Sequence, residues 1–191
     1  MKPDSAYTST EQETLLQVAH AGISHGLSSG TPAPIDLAGY SNSLRIRAAS
    51  FVTLKSAGAL RGCIGTLEAI RPLVEDVNEN AFAAAFRDPR FPPLSDRELG
   101  ELHISISILS PPEPMAFRSE PDLLEQIRVG IDGLILEEGY HRGTFLPAVW
   151  EALPEPQSFF RQLKIKAGLQ PDYWSSTLRI YRYHAEVLDR L

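Results

Sequence analysis

The chain has 191 residues, 43% of them hydrophobic and 22% charged, with a net charge of −6 and one cysteine. This balance describes a single globular domain over residues 1–191 and argues against a broad nucleic-acid-binding face, which needs excess positive charge. A lone thiol excludes an internal disulfide, an intrachain iron–sulfur cluster and a cysteine-built zinc site, and no apolar run reaches the length of a membrane span.

Residues 1–9 read as a polar leader without the basic-then-apolar pattern of a secretory signal, so a cytoplasmic location is expected. Thr10-Glu11-Gln12-Glu13 has the spacing of a capping box, and Leu15, Leu16, Ala19 and Ile23 follow at helical intervals. A helix over residues 10–25 is predicted. His20 and His25 fall in its later turns, where a cation suits the helix dipole and no ligand role is needed. Gly26, Gly30, Pro32 and Pro34 are read as ending it. A strand pattern covers residues 43–55, with Arg45 and Arg47 alternating against Leu44, Ile46 and Ala48. Ser56-Ala57-Gly58-Ala59 reads as the turn that reverses it, and the return arm runs through Arg61-Gly62-Cys63-Ile64-Gly65. Glycine weakens a strand, so two glycines flanking a thiol predict a bulge or a close backbone approach. Either device leaves Cys63 facing open space. The competing reading makes Cys63 a small buried hydrophobe, the commonest fate of a free cysteine.

Pro72 suits the first turn of a helix running to Phe86, whose face of Val74, Val77, Ala81, Ala84 and Ala85 is expected to pack behind this hairpin. Asp88-Pro89-Arg90-Phe91-Pro92-Pro93 is a stiff loop, because three prolines forbid a helix or a central strand. It reads either as a corner with a local ion pair and Phe91 anchored in the core, or as a wall of a pocket over Cys63. Leu102, Ile104, Ile106 and Ile108 alternate with His103, Ser105 and Ser107, the clearest half-buried strand in the chain. Ser119 looks like the cap of a short helix through Ile127. Residues 133–136 form a strand, 137–140 a turn and 141–145 the return arm, after which Pro147 opens a helix. Gly143, ahead of that helix, is a candidate for anion binding through unblocked N–H groups, although the phosphate-loop spacing is absent. Phe159, Phe160 and Leu163 mark a further helix closed by Lys164, Lys166 and Gly168, and residues 177–186 alternate as a last strand. Helices and antiparallel hairpins without regular strand–helix alternation give an α+β class, mainly antiparallel sheets with flanking helices.

Among catalytic templates, a serine elbow is missing and the five histidines are scattered, so no metal site is expected. A cysteine nucleophile remains, provided that a cationic setting or a base ionises it. Arg61 and Arg142 are the candidate cations, and His141 is the candidate base for Cys63.

Leu60-Arg61-Gly62-Cys63-Ile64-Gly65-Thr66 resembles the signature of the AMMECR domain family, and more narrowly that of the AmmeMemoRadiSam system protein A group. The likeness continues through Asn80-Ala81, Asp88-Pro89-Arg90-Phe91, Arg142-Gly143-Thr144-Phe145-Leu146-Pro147 and Lys166-Ala167-Gly168-Leu169. The resemblance implies two subdomains, a larger and a smaller, with the signature near their junction. It also implies partnership with a radical S-adenosylmethionine protein and with a Memo-type protein of dioxygenase-like fold. On this reading the chain is an accessory or catalytic component of a modification pathway, with no cofactor of its own. It would use a cleft between residues 60–66 and 141–147, with Arg61, Gly62, Gly65, Arg90, Arg142 and Gly143 as its ligand-binding side. The matched pattern begins at Arg142, so His141 stands as a base on its own chemistry alone. The alternative is a binding module for a small anion or a partner's tail; nucleic acid is the remaining class and sits badly with the charge.

Overall fold

The structure is a computed structural model that describes residues 5–189. It combines helices with two four-stranded antiparallel sheets, the α+β class expected, and the chain forms two compact units, Met1–Leu109 with Glu186–Leu191, and Ser110–Ala185.

In the first unit, helix α1 (Ser9–Ser29) is capped by Thr8, whose capping box closes on Glu11. The box lies two residues upstream of the one predicted, because Glu11 has tertiary partners: its carboxylate also accepts hydrogen bonds from the Ser41 and Ser43 hydroxyls. The helix also runs past Gly26. That glycine is buried, and a Cβ there would stand 2.7 Å from the Phe82 ring, so it serves close helix packing; Gly30, at φ 72°, makes the C-cap. Residues 1–4 of the expected leader lie outside the described residues. Beyond them Ser5 and Ala6 are tied to the Glu186 carboxylate, the Ala6 N–H at 3.0 Å, so this stretch is held rather than loose.

The strand predicted over 43–55 begins late. Residues Asn42–Arg45 form a short helix, α2, and Ile46 is 65% exposed, so the Arg/Ile alternation there marked no buried face. Strand β1 spans Ala49–Ser56, followed by β2 (Ala59–Gly65), helix α3 (Leu73–Phe86) and β3 (Leu102–Leu109). The sheet order is β2-β1-β3-β8, with β8 at Ala185–Asp189. Val52, Leu54, Ile104, Ile106 and Ile108 point from its inner face into one core with Val74, Val77, Ala81, Ala84 and Ala85 of α3, as their periods require. Buried Asp76 bolts α3 to β1: it accepts from the Ser50 N–H at 2.9 Å and hydroxyl at 2.6 Å, from Asn80 at 2.9 Å and from Arg71 at 2.9 Å. Burial pushes its carboxyl upward, and the hydrogen bonds of Ser50 and Arg71 oppose that shift.

The second unit holds β4 (Glu113–Pro114), α4 (Glu120–Gln126), β5 (Gly133–Glu138), β6 (His141–Phe145), α5 (Pro156–Lys166) and β7 (Arg179–Tyr183), with sheet order β4-β7-β5-β6. Ser119 caps α4 as expected. Pro147 opens a helix as expected, a 3-10 helix over Pro147–Glu151. Its Trp150 turns inward, donates to the Asp132 carbonyl at 2.7 Å and stacks on Phe159 at 3.8 Å. The single strand expected over 177–186 is two strands, β7 and β8, broken at His184 and belonging to different sheets. Lys164 is fully buried yet satisfied, donating to Glu120 at 2.9 Å and the Tyr173 carbonyl at 3.1 Å.

Candidate functional site

Ala57 (φ 48°) and Gly58 (φ 80°) form the two-residue turn between β1 and β2, the positive-φ pair that matches strand twist. From the turn, Ser56 pairs with Ala59 and Lys55 with Leu60, but Leu54 then pairs with Gly62, leaving Arg61 as an extra residue. This bulge decides the orientation of the motif. Without it, Cys63 would oppose Val52, which is fully buried in the core; with it, Cys63 opposes Thr53, and the thiol moves to the other face. Cys63 is accordingly half-buried and outside the hydrophobic core, so the buried-hydrophobe reading does not hold. The close backbone approach is also present, one residue before the thiol: a Cβ on Gly62 would stand 3.0 Å from the Ala84 carbonyl carbon and closer still to its oxygen.

Strand β2 is an edge of its sheet, and side chains take the place of a neighbouring strand at Cys63. The Cys63 N–H donates to Asp88 Oδ2 at 2.9 Å, and Arg90 Nη2 donates to the Cys63 carbonyl at 3.2 Å. Asp88 and Arg90 also bind each other, at 2.6 Å and 2.9 Å. The Arg90 hydrogen bond holds the nearly buried Asp88 carboxyl well below the usual carboxylate range, and Asp88 in turn raises Arg90. The corner with its ion pair therefore exists, but it is wired to Cys63. Phe91 is not a core anchor: it is half-buried, with the Arg61 and Arg90 guanidinium groups 5.9 Å and 5.5 Å from its ring centre.

Arg61 is held by Glu98 at 2.6 Å and by the Pro92 carbonyl at 2.9 Å. That contact, ahead of two hydrogen bonds from Ser95, lowers Glu98 to about 2. Among the described residues, Arg61 Nη1 is shielded and has no acceptor. Gly65 has no room for a side chain, because the Phe51 ring lies over it. On the sulfur itself, the Thr53 hydroxyl donates to Sγ at 3.3 Å.

Cys63, Arg61, Gly62, Gly65 and Arg90 thus come together in the first unit, whereas His141, Arg142 and Gly143 belong to β6 of the second. There, His141 Nδ1 donates to the Ala167 carbonyl at 3.0 Å, which assigns the ring proton to Nδ1 in the neutral form. Gly143 lies inside the strand, not at a helix start; a Cβ would meet Ala167 at 3.0 Å, so its visible role is to let α5 approach. Arg142 alternates to the opposite face of β6 and pairs with Glu137 at 3.3 Å. Among the described residues no group of three or more His, Cys, Asp or Glu side chains is placed to hold a metal ion, and no helix is long and apolar enough to cross a membrane.

Sequence reasoning missed Thr53 and Glu98. Thr53 was hidden by the bulge, since counting back from the turn pairs Cys63 with Val52. Glu98 carried no signal, because only the fold brings it to Arg61.

The AMMECR1 family profile matches residues 16–188 of this chain. A protein of Methanothermobacter thermautotrophicus is 40% identical over 185 residues, covering 93% of each chain, and one of Methanocaldococcus jannaschii is 41% identical over 138 residues, covering 69% and 67%. The crystal structure of an uncharacterized protein from Pyrococcus horikoshii superposes with a TM-score of 0.85 at 34% identity, covering 94% of this chain and 91% of that one.

Proposed function

We propose that this chain, which belongs to the AMMECR1 family, is a component of a modification system whose reactive group is the Cys63 thiol. Its partners in this reading are a radical S-adenosylmethionine protein and a Memo-type protein, and its target is a small or protein-bound electrophile. One observation carries the reading: the thiol is turned away from the core, and both main-chain groups of Cys63 are held by Asp88 and Arg90. A structural cysteine needs neither feature; a positioned nucleophile benefits from both. In the reaction, the thiol proton passes to a base or to water, Sγ forms a bond to the electrophilic carbon, and the leaving group departs with its electron pair.

The test is alkylation of the folded protein by iodoacetamide, followed by intact mass, since the chain holds a single cysteine. One adduct formed without denaturant supports the reading, and a thiol that reacts only after unfolding removes it. Co-expression with the two partner proteins should yield a complex on size exclusion; separate elution counts against the partnership. A second reading, a module that binds a small anion without chemistry, draws on Arg61, whose Nη1 has no acceptor among the described residues. In that case inorganic phosphate or a dicarboxylate should protect the protein against heat, and Arg61→Ala should abolish the protection.

A further inference from the structure

Thr53 sits at the centre of its sheet, on β1, with Cys63 opposite on β2 and Ser105 opposite on β3. Because the Cys63 N–H and C=O turn outward to Asp88 and Arg90, the Thr53–Cys63 pair is of the non-hydrogen-bonded kind. In such pairs the strands bring side chains closest, with Cα atoms about 4.5 Å apart. Thr53 Oγ1 lies 3.3 Å from Sγ, and among the described residues its hydroxyl has no other hydrogen-bond partner. A β-branched side chain is stiff at χ1, and β1 is paired on both sides, so the hydroxyl is aimed before any substrate arrives.

The charged neighbours act differently. Asp88 and Arg90 touch the Cys63 main chain and are paired with each other, so they fix the peptide. Among the described residues, the hydrogen bond to Sγ is that of Thr53. A hydrogen bond donated to sulfur is stronger when the sulfur carries negative charge than when it is neutral.

We propose that Thr53 is a positioning residue for Cys63, holding the sulfur through an O–H···S hydrogen bond and stabilising the negative charge that forms there. The inference rests on the reading of Cys63 as the reactive group.

It is tested by iodoacetamide alkylation rates and by the ultraviolet absorbance of the thiolate, each followed against pH. The proteins compared are the full-length wild type, Thr53→Val, Thr53→Ser and Ser105→Ala. Valine keeps the shape and removes the donor, serine restores the donor, and Ser105 lies on the same face without a bond to the sulfur. The valine variant should react about three- to tenfold more slowly at neutral pH, with its profile moved to higher pH and the same plateau. Thr53→Ser should recover most of the rate, and Ser105→Ala should match the wild type. A valine variant that matches the wild type in rate and absorbance profile overturns the inference. So does a serine variant, folded by circular dichroism, that behaves as valine does. The absorbance does not depend on reagent access. An unreactive wild-type thiol whose absorbance profile still shifts with valine therefore sinks the functional reading alone and leaves the Thr53 contact standing.

Discussion

Gly62→Ala is the sharpest perturbation of the hairpin that carries the thiol. The new methyl would stand 3.0 Å from the Ala84 carbonyl carbon and closer still to its oxygen, and both are main-chain atoms of α3. Neither side has a flexible chain end that can swing away. Strand β2 is tied to β1 through the register on either side of the bulge, and α3 is bolted to β1 by Asp76. Strand and helix must therefore separate by about 1 Å to restore ordinary contact. Overpacking of this kind costs about 1–3 kcal/mol, and rigid backbone on both sides puts this case near the top of that range. Against it stands the gain from a less flexible unfolded chain, about 0.4–1 kcal/mol. The net expectation is a loss of about 2 kcal/mol, or roughly 4–8 °C in melting temperature for a chain of this size.

The assay is thermal unfolding of the full chain followed by circular dichroism, with Gly39→Ala as the control. Among the described residues, no atom outside its immediate chain neighbourhood lies within 4 Å of a Cβ added at Gly39, and its φ is not positive, so its variant should be neutral or slightly stabilised. Gly143→Ala should fall between the two, since its nearest neighbours, the Ala167 methyl and main-chain nitrogen, both stand at 3.0 Å and leave a milder overlap than at Gly62. If Gly62→Ala melts within 1 °C of the control, the approach of Gly62 to α3 is not a constraint on the hairpin.

Ile106 is fully buried on the inner face of β3, so Ile106→Ala should cost about 2–5 kcal/mol in urea unfolding, and a loss below about 1 kcal/mol would place that face at the surface. Acid should weaken the Arg61–Glu98 contact. The folded carboxyl is lowered from 4.5 to about 2, so its contribution is complete above the unfolded value and fades as pH falls through about 2. The melting temperatures of wild type and Glu98→Gln should therefore differ near neutral pH and converge as pH falls through that window; a gap independent of pH would refute the assignment.

Much of this fold is legible in the sequence because local periodicity reports what local packing requires. The alternation of Ile104, Ile106 and Ile108 and the small-residue face of α3 each specify a buried side without reference to the rest of the chain. The Ser119 cap and the Ala57-Gly58 turn are equally local, being set by side-chain and backbone chemistry within four residues. The glycines around Cys63 announce a departure from a regular strand, but not which residue is extra. That choice belongs to the tertiary structure, where Gly62 must meet α3 and Arg61 must reach Glu98 and the Pro92 carbonyl. A one-residue difference in register reverses every side chain beyond it, so partners distant in sequence decide whether Cys63 faces Val52 or Thr53. The same holds for its main chain: β2 is an edge, and the groups it leaves unpaired are met by Asp88 and Arg90, which only the fold carries there.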